Sequence, residues 1–507
     1  MDWGPWPILV AMSNFLLSID QGTTGSRVFC FDTSGQVLSS AYAEFTQHFP
    51  KPGWVEHDAE EIWSGVETLI GEALQKGKLD PKNCLTIGIT NQRETVVVWD
   101  RSTGKPIHNA IVWQCRRTSD VCQALKDKGY EDTVRKKTGL VIDAYFSGTK
   151  IAWILDHVDG ARKRAENGEL CAGTIDCWLL YRLTGEFKTE YTNASRTLLY
   201  NIEEKRWDSD LCRLLNVPAA ILPDVQPSHA DFGKTKGLKT LPDGVPVNAM
   251  LGDQQAALFG QVCVHPGEAK NTYGTGCFLL FNTGDQFLIS KQGLLTTLAC
   301  NETGDVCYSL EGAVFIGGAV VQWLRDYAQF FAKAPDTEGL IDSIRDEEDD
   351  VVFVPAFSGL GAPHWDMKAR GAIFGLTRDT DPARITRAAL KSIAFQSYDL
   401  VSAMEKDTGQ ALPFLRADGG ATANGYLMQF QADLLNKPVE RPANVDTTAL
   451  GSAYLAGIHA GVWKNASDLL KLMGDKTVFK PSMEDARRQR EIRYWNKAVS
   501  RVKDWVD

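Results

Sequence analysis

Three features that assign many chains to a class are missing from these 507 residues: a Cys-x-x-C pair, a long apolar run and a surplus of basic residues. The eleven cysteines are irregularly spaced, which fits neither a disulfide framework nor a zinc site and indicates a reducing compartment. The longest apolar stretch, around Gly312–Val321, is about half of the ~20 residues that a membrane helix needs. We therefore expect a cytoplasmic protein without stable membrane insertion.

The charge balance argues against a general nucleic-acid binder. The formal net charge is -10, and no basic cluster of the kind that contacts a phosphate backbone stands out. An acidic protein can still hold a small polyanion through backbone N–H groups, a metal ion and one or two basic side chains. With 44% hydrophobic and 23% charged residues the composition is globular, and the length predicts more than one domain.

We do not expect the first twelve residues to act as a signal peptide. Asp2 stands where basic residues would be expected, and the apolar run that follows is too short. We interpret residues 1–13 as an N-terminal extension, with Met12 as an alternative start.

The pattern that follows predicts alternating strands and helices. Phe15–Asp20 and Val28–Asp32 flank a turn of small residues and read as a β-hairpin. Asp58 begins a helix, and Glu61 three residues later predicts a capping box. The strand-like Leu85–Thr90 comes next. The apolar face of the helix is formed by Ile62, Val66, Leu69, Ile70 and Ala73.

The second half of the chain repeats this beginning. Glu268–Gly284 places two strand-like runs around a Tyr-Gly-Thr-Gly turn, at a period of about 250 residues that indicates a duplicated domain. Phe414–Gly420 predicts a strand that ends in glycines, and helical patterns follow over 424–435 and 447–462. We therefore predict one domain over 14–260 and a second over 261–507.

Three glycine-containing turns are candidates for phosphate binding. The first carries hydroxyl groups and ends in Arg27, with Asp20 before it as a candidate Mg²⁺ ligand. The second is Tyr273–Gly276, and the third begins at Asp418 and is followed by Asn424. One such turn is more often an ordinary hairpin, whereas three between regular elements favour a nucleotide site.

Two polar pairs are candidates for binding an alcohol. Arg93 and Glu94 could donate to and accept from hydroxyl groups, or form a solvated ion pair. Asp253, next to Gln254, could act as a general base that removes a hydroxyl proton, or merely cap a helix. The sequence shows no G-x-S-x-G elbow, and Cys115 and Cys277 have no evident histidine partner in sequence, so we do not expect covalent catalysis.

Eight motifs together resemble the FGGY carbohydrate kinases, from about Phe15 to Lys503 and in the family's order. They are IDQGTTGSR, GITNQRET, NAIVWQCRR, YFSGTKIAWILDH, TNASRT, GDQQAALFG, NTYGTGCF and DGGATANGYLMQFQADLL. The resemblance implies an α/β protein of two duplicated actin-like ATPase (ribonuclease H-like) domains with an interdomain cleft that holds ATP and substrate. It also implies transfer of a phosphoryl group from MgATP to glycerol, giving ADP and sn-glycerol 3-phosphate for glycerol catabolism.

The resemblance carries over residue by residue. The glycerol contacts it implies are Arg93, Glu94, Tyr145, Asp253 and Gln254, with Trp113 and Phe278 as an apolar wall and Asp253 as the base. The nucleotide contacts it implies are Thr23, Thr24, Gly25, Arg27, Thr275, Gly318, Gln322, Gly420 and Asn424, with Asp20 near the metal. An aromatic residue such as Trp113, Tyr145 or Phe278, taken by itself, is more often part of the core than of a binding site.

Two other interpretations of the sequence remain open. A kinase for a longer polyol would share the phosphate turns and differ in the pocket. A nucleotide-driven binding or chaperone module of the same fold would hydrolyse ATP without a small acceptor. We also expect a homo-oligomer, a dimer or a tetramer, although no residue pattern decides its size.

Overall fold

The computed structural model describes residues 14–344 and 349–506, so the N-terminal extension with Met12 lies outside the described residues. The chain divides into two compact units at Gly260. Two later segments, Glu302–Val306 and Thr448–Leu472, pack with the first unit. The second unit is made of Gln261–Asn301, Cys307–Thr447 and the residues from Met473 onward. The predicted second domain, 261–507, had included both of those segments.

Strands and helices alternate up to Gly260. The strands are β1 (Phe15–Gln21), β2 (Gly25–Asp32), β3 (Val37–Glu44), β4 (Glu56–His57), β5 (Cys84–Asn91), β6 (Val96–Asp100), β7 (Ala110–Ile111), β8 (Leu170–Thr174), β9 (Lys188–Glu190), β10 (Tyr200–Asn201), β11 (Arg206–Trp207), β12 (Asp224–Gln226) and β13 (Val247–Gly252). The helices are α1 (Ala59–Gly77), α2 (Ser119–Asp127), α3 (Glu131–Thr138), α4 (Ser147–His157), α5 (Ala161–Glu166), α6 (Ile175–Thr184), α7 (Tyr191–Ala194), α8 (Ser209–Leu214) and α9 (Asp253–Gly260), with 3-10 turns at Pro81–Asn83 and Ala219–Ile221.

The same alternation continues in the rest of the chain. The strands are β14 (Ala269–Tyr273), β15 (Cys277–Gly284), β16 (Leu295–Cys300), β17 (Val306–Val314), β18 (Val352–Val354), β19 (Ala372–Phe374), β20 (Leu415–Asp418), β21 (Val439–Pro442) and β22 (Lys476–Phe479). The helices are α10 (Ala319–Asp326), α11 (Asp336–Ile341), α12 (Pro382–Thr408), α13 (Gly425–Leu435), α14 (Thr447–His459), α15 (Ala466–Leu470) and α16 (Asp485–Val502), with 3-10 turns at Asp342–Ile344 and Gly420–Ala423.

The main sheet of the first unit has the strand order β3-β2-β1-β5-β13. The first three strands form an antiparallel meander, and β5 and β13 then add in parallel to β1. The predicted hairpin of β1 and β2 is thereby confirmed. Apolar residues of these strands and of α1 form one buried cluster in the unit.

Helix α1 begins as predicted, but its capping box is incomplete. The Asp58 carboxylate accepts hydrogen bonds from the backbone N–H groups of Glu60 and Glu61 at 2.8 and 3.2 Å. The Glu61 carboxylate accepts instead from the backbone N–H and hydroxyl of Thr46 at 3.0 and 2.9 Å. The second half of the capping box was therefore wrong, because a residue outside the helix competes for Glu61.

The main sheet of the second unit repeats this topology, with the order β16-β17-β15-β14-β20-β21-β22. Strands β14, β15 and β17 form the antiparallel meander, and β20 and β21 add in parallel to β14. The unit has its own buried apolar cluster. The duplicated α/β fold predicted from the sequence is thus confirmed.

Among the described residues, no helix combines the length and the apolar character that a membrane crossing requires. The eleven cysteines are all buried, and none is in a disulfide.

Candidate active site

The carboxyl ends of three parallel strands meet at one edge of the first unit's main sheet. In the ladder, Gln21 of β1 and Gly252 of β13 are both paired with Asn91 of β5. The segments that leave these strands are the first glycine turn, the loop after β5, and α9, which begins with Asp253. The segments predicted to bind polyol and phosphate therefore start from adjacent positions in this unit. Ligands of open α/β sheets bind at such an edge.

Asp253 lies at the start of α9 with its carboxylate partly open to solvent. The side chain is 31% exposed, and its Oδ1 lies 3.3 Å from Nε of Arg93. Oδ1 also accepts a hydrogen bond from the backbone N–H of the buried Gln254 at 2.7 Å. These two contacts do not exclude a proton-accepting role, because a carboxylate has several acceptor positions.

Arg93 and Glu94 are buried, so they do not form a solvated ion pair. Each side chain is 2% exposed, and Nε of Arg93 is 3.9 Å from Oε1 of Glu94. The same oxygen accepts a much shorter hydrogen bond, of 2.6 Å, from Nε of Arg196. Arg93 Nη1 donates to Oε1 of Gln255 at 3.1 Å. Glu94 has a φ of +61°, a backbone conformation that is uncommon for a residue with a β-carbon and is often associated with functional sites.

Trp113, which is predicted for the apolar wall, lies beside Tyr145, a predicted glycerol contact. Both rings are half-buried and meet edge to face, with centroids 5.5 Å apart. The Trp113 indole N–H donates to Oγ1 of Thr23 at 3.0 Å. Because the Thr23 oxygen accepts here, its own O–H hydrogen can donate elsewhere. Trp113 and the first glycine turn are therefore in direct contact.

A buried lysine supports the backbone at Tyr145. Nζ of Lys150 donates to the carbonyl oxygen of Tyr145 and, at 3.1 Å, to that of Phe146. Burial lowers the pKa of Lys150 to about 7, while the nearby Glu94 carboxylate acts in the opposite direction. The side chain thus holds the backbone that carries Tyr145.

The first glycine turn is held by side-chain amides and one imidazole. Gln47 Nε2 donates to the carbonyl oxygen of Thr23 at 3.1 Å, and Gln47 Oε1 lies 2.8 Å from Nε2 of His57. Nδ1 of His57 faces Nε2 of Gln92 at 3.4 Å. Burial lowers the pKa of His57 to about 4, and His48 adds to the effect. The neutral ring therefore bridges two amides, donating to one and accepting from the other.

The other residues of the first unit that are predicted to bind phosphate or Mg²⁺ lie along the same hairpin. Thr24 and Arg27 are exposed and Gly25 is buried. Arg27 is opposite the half-buried Asp20 in the ladder. Over residues 14–344 and 349–506, no three His, Cys, Asp or Glu side chains form a metal-binding group. A single carboxylate still fits Mg²⁺, which keeps several waters and is bound largely by nucleotide phosphates.

In the second unit, the turn between β14 and β15 packs against the start of α10. The backbone N–H groups of Gly317 and Gly318 donate to the carbonyl oxygens of Thr275 and Gly274, both at 2.8 Å. The N–H of Gln322 donates to the carbonyl oxygen of Gly318 at 3.1 Å. Thr275, Gly318 and Gln322 therefore lie together, and each is at least partly exposed.

The third turn follows β20 and lies beside the second. Gly419 has a φ of +88°, and a β-carbon there would come within 2.6 Å of the carbonyl oxygen of Tyr273, so the position requires glycine. Next to Gly420 the described structure leaves open space, with no heavy atom within 4 Å of an added β-carbon. Asn424 caps α13 and donates from Nδ2 to the Thr337 hydroxyl at 3.1 Å. Its carboxamide thus has a structural role whatever it binds.

The predicted site residues fall into two groups. Arg93, Glu94, Trp113, Tyr145, Asp253 and Gln254 belong to the first unit together with the first glycine turn. The half-buried Phe278, predicted to complete the apolar wall, lies on β15 of the second unit with Thr275, Gly318, Gln322, Gly420 and Asn424.

Sequence reasoning missed residues that hold the predicted ones in place. Arg196 bonds Glu94, Gln255 bonds Arg93, and Lys150 bonds the backbone of Tyr145. Arg196 and Lys150 stand in the motifs TNASRT and YFSGTK, so the motifs held the signal. Charged residues in apolar surroundings could have been singled out there, because such groups are rarely buried without a partner.

Comparisons with known proteins show the family of this chain. The model of the FGGY family of carbohydrate kinases matches with its N-terminal domain over residues 15–260 and with its C-terminal domain over residues 269–460. A glycerol kinase of Leptospira biflexa is 62% identical over 97% of this chain and 99% of its own length. One of Carboxydothermus hydrogenoformans is 54% identical over 97% of this chain and 98% of its own length. The crystal structure of Plasmodium falciparum glycerol kinase with ADP superposes with a TM-score of 0.91 at 37% identity, covering 97% of this chain and 98% of that one. The chain therefore belongs to the FGGY family of carbohydrate kinases, in its glycerol kinase group.

Proposed function

We propose that this protein transfers the γ-phosphoryl group of ATP to glycerol, giving ADP and sn-glycerol 3-phosphate. The observation that carries the proposal is the arrangement of Arg93, Glu94 and Asp253, with the half-buried rings of Trp113 and Tyr145 in the same unit. A small polyol needs donors and acceptors for its hydroxyls and an apolar surface for its carbons. The relatives named as glycerol kinases, and the one solved with ADP, support the choice of glycerol and of an adenine nucleotide.

In the proposed reaction Asp253 is the general base. Its partly exposed carboxylate takes the proton of the attacking hydroxyl while the oxygen–phosphorus bond forms. The bond between the γ-phosphorus and the β–γ bridging oxygen breaks, and ADP leaves with its electron pair, so that no phospho-enzyme forms. Arg93, 3.3 Å away, orients that carboxylate.

The substrate is positioned by groups that are already ordered. Glu94 is held by Arg196 at 2.6 Å. A carboxylate can accept several hydrogen bonds at once, so it can also accept one from a substrate hydroxyl. Gln254 adds a carboxamide next to the base. Groups that need no reorganisation on binding contribute most to positioning.

For the nucleotide we propose contacts from each unit's own turns. In the first unit these are Thr23, Thr24, Gly25 and Arg27, with Asp20 towards Mg²⁺. In the second unit they are Thr275, Gly318, Gln322, Gly420 and Asn424, with Phe278 as an apolar contact for the substrate. When bound, Mg²⁺ would neutralise phosphate charge as it does in other kinases.

A coupled assay of ADP release with glycerol, dihydroxyacetone, xylulose and gluconate tests the proposal. We expect turnover that requires an acceptor and is fastest with glycerol, with sn-glycerol 3-phosphate as the product. Turnover with xylulose or gluconate but not glycerol would assign the protein to a longer polyol. ATP hydrolysis that no acceptor accelerates would support the nucleotide-driven module instead.

A further inference from the structure

Glu190 is a buried carboxylate with more hydrogen bonds than a helix cap needs. Oε1 accepts from the Thr192 hydroxyl at 2.6 Å and from the backbone and side-chain nitrogens of Asn193 at 2.7 and 2.9 Å. Oε2 accepts from the Thr192 N–H at 2.6 Å and the Ser228 hydroxyl at 2.5 Å. The two backbone bonds cap α7, whereas the three side-chain bonds have no capping role.

Burial and the neighbouring Asp176 raise the pKa of Glu190 to about 7. The five donors act against this shift, because the ionised carboxylate accepts all of them and the protonated acid does not.

Through Thr192, Glu190 reaches the strand end that carries Asp253. The Thr192 hydroxyl donates its hydrogen to Glu190, so its oxygen is left to accept from a donor on the other side. That donor is the backbone N–H of Gly252, at 2.9 Å. Gly252 is the last residue of β13 and directly precedes Asp253. The bond therefore fixes the point at which α9 leaves the sheet.

Through Asn193, Glu190 reaches the strand end that precedes Arg93. A carboxylate only accepts, so the amide nitrogen of Asn193 must face Glu190, and this sets the orientation of the whole carboxamide. In that orientation Asn193 and Asn91 exchange two amide hydrogen bonds of 3.0 Å each. Asn91 is the last residue of β5, and its Nδ2 also donates to the carbonyl oxygen of Gln92 at 2.9 Å.

The helix that Glu190 caps also leads to a third contact. Two residues after α7 ends, Arg196 donates to Glu94 at 2.6 Å. The three connections that start from Glu190 thus end at Asp253, at the Arg93 loop and at Glu94.

We propose that Glu190 is the positioning residue of the polyol site, placing Asp253 through Thr192 and the Arg93–Glu94 loop through Asn193. This inference rests on the proposed function for what those groups do, but the placement itself is a statement about structure. Glu190 touches neither substrate nor nucleotide in this assignment.

Two substitutions separate the two connections. Thr192→Val removes the hydroxyl bonded to Gly252, and we expect a kcat about 10- to 100-fold lower with little change in the KM for glycerol, because the base is displaced. Asn193→Leu removes the amide exchange with Asn91, and we expect mainly a higher KM, by a similar factor. Thr192→Ser keeps the hydroxyl and should restore the wild-type kcat.

Thr138→Val is the matched control. The Thr138 hydroxyl is also buried, also donates once, to the Val134 carbonyl at 2.7 Å, and also accepts a backbone N–H, that of Leu140 at 3.1 Å. It has no connection to β5 or β13 among these bonds. We expect a comparable loss of thermal stability with kinetic constants unchanged. Glu190→Gln provides a second test if Thr192→Val does not fold, because its amide group cannot accept all five bonds.

Crystal structures of wild type and Thr192→Val supply a readout that does not depend on activity. We expect the distance between Asp253 Oδ1 and Arg93 Nε, 3.3 Å here, to change in the variant. An unchanged distance, or kinetics of Thr192→Val and Asn193→Leu equal to those of Thr138→Val, would overturn the positioning role. A wild-type enzyme that does not phosphorylate glycerol would overturn the proposed function alone, since the structures still decide the placement.

Discussion

Carboxylates of the first unit differ in what faces them, and that difference separates their proposed roles. Asp253 keeps 31% of its side chain exposed, so it can meet a ligand. Glu94 is 2% exposed and bonded to Arg196, so it is oriented before a substrate arrives. Glu190 is fully buried and meets donors of the protein itself. Exposure and partners, and not residue type, therefore distinguish the proposed base from the proposed binding and positioning groups.

The role of Asp253 is tested by Asp253→Asn. The amide cannot accept the hydroxyl proton, so we expect kcat to fall by about 10²- to 10⁴-fold, the usual contribution of a general base. ADP affinity, measured by calorimetry, should stay close to that of the wild type. Asp58→Asn is the control, because Asp58 is also an aspartate at a helix start in this unit but caps α1. Equal activity of Asp253→Asn and wild type would remove the assigned role.

His57 should make the protein sensitive to mild acid. Burial lowers its pKa from the ordinary histidine value of 6.5 to about 4 in the folded protein. Between these values the unfolded chain binds a proton that the folded protein does not, so stability falls as the pH falls from about 6.5 to about 4 and is fully present above 6.5. His57→Gln should lose less thermal stability than wild type between about pH 7.5 and about pH 5.

The control for His57 is the same substitution at an exposed histidine. His157 lies at the end of α4 and is exposed, so His157→Gln should keep the wild-type dependence of the thermal midpoint on pH. Identical curves for wild type and His57→Gln would show that the buried ring does not control this dependence.

At the scale of elements, the site depends on where strands end and on what packs behind the helix that follows. Helix α9 carries Asp253 at its start, and α14 packs directly against it. A β-carbon added to Gly451 of α14 would lie 1.8 Å from the carbonyl oxygen of Ala256 in α9. The two helix backbones are therefore too close for any residue but glycine.

Gly451→Ala should displace α9 and reduce both stability and turnover. Overpacking of this kind costs about 1–3 kcal/mol, and the shift moves Asp253 away from its position, so kcat should fall as well. Gly65→Ala is the control: Gly65 lies within α1 with no heavy atom within 4 Å of an added β-carbon. There alanine should stabilise the helix by up to about 1 kcal/mol. Urea unfolding and kcat measure both effects, and a Gly451→Ala enzyme with wild-type values would disprove the contact.

At the scale of the whole molecule, one topology is used twice and each unit has its own apolar core. The repeated arrangement places a glycine turn after the first strand of each meander, between β1 and β2 and between β14 and β15. In each unit the parallel strand next to the first, β5 or β20, also ends close to that turn. The duplication therefore explains why glycine turns recur in both halves of the sequence.

The burial of all eleven cysteines is a property of the whole molecule. Burial also raises the pKa of Cys263 and of Cys277 to about 12, which suppresses their thiolates. A chromogenic disulfide reagent should therefore react slowly with the native protein and rapidly with eleven thiols after denaturation in guanidinium. A thiol that reacts within seconds in the native state would contradict the burial.

Local features were predicted well because neighbouring residues decide them. The hairpin of β1 and β2, the buried face of α1 and the strand before Gly419 follow from residue alternation, capping and turn chemistry. The helix predicted over 447–462 ends at His459. The Glu61 half of the capping box failed because Thr46, 15 residues earlier and outside the helix, binds that carboxylate.

The sequence by itself determined which chemical groups this protein carries and which family it resembles, since both are encoded in short runs of adjacent residues. The tertiary structure alone decided which of those groups meet. Glu94 is bonded to Arg196 and Gly252 to Thr192 across separations of 102 and 60 residues. Such pairs depend on the register of parallel strands whose connections pass through whole helices, and no local pattern records that register.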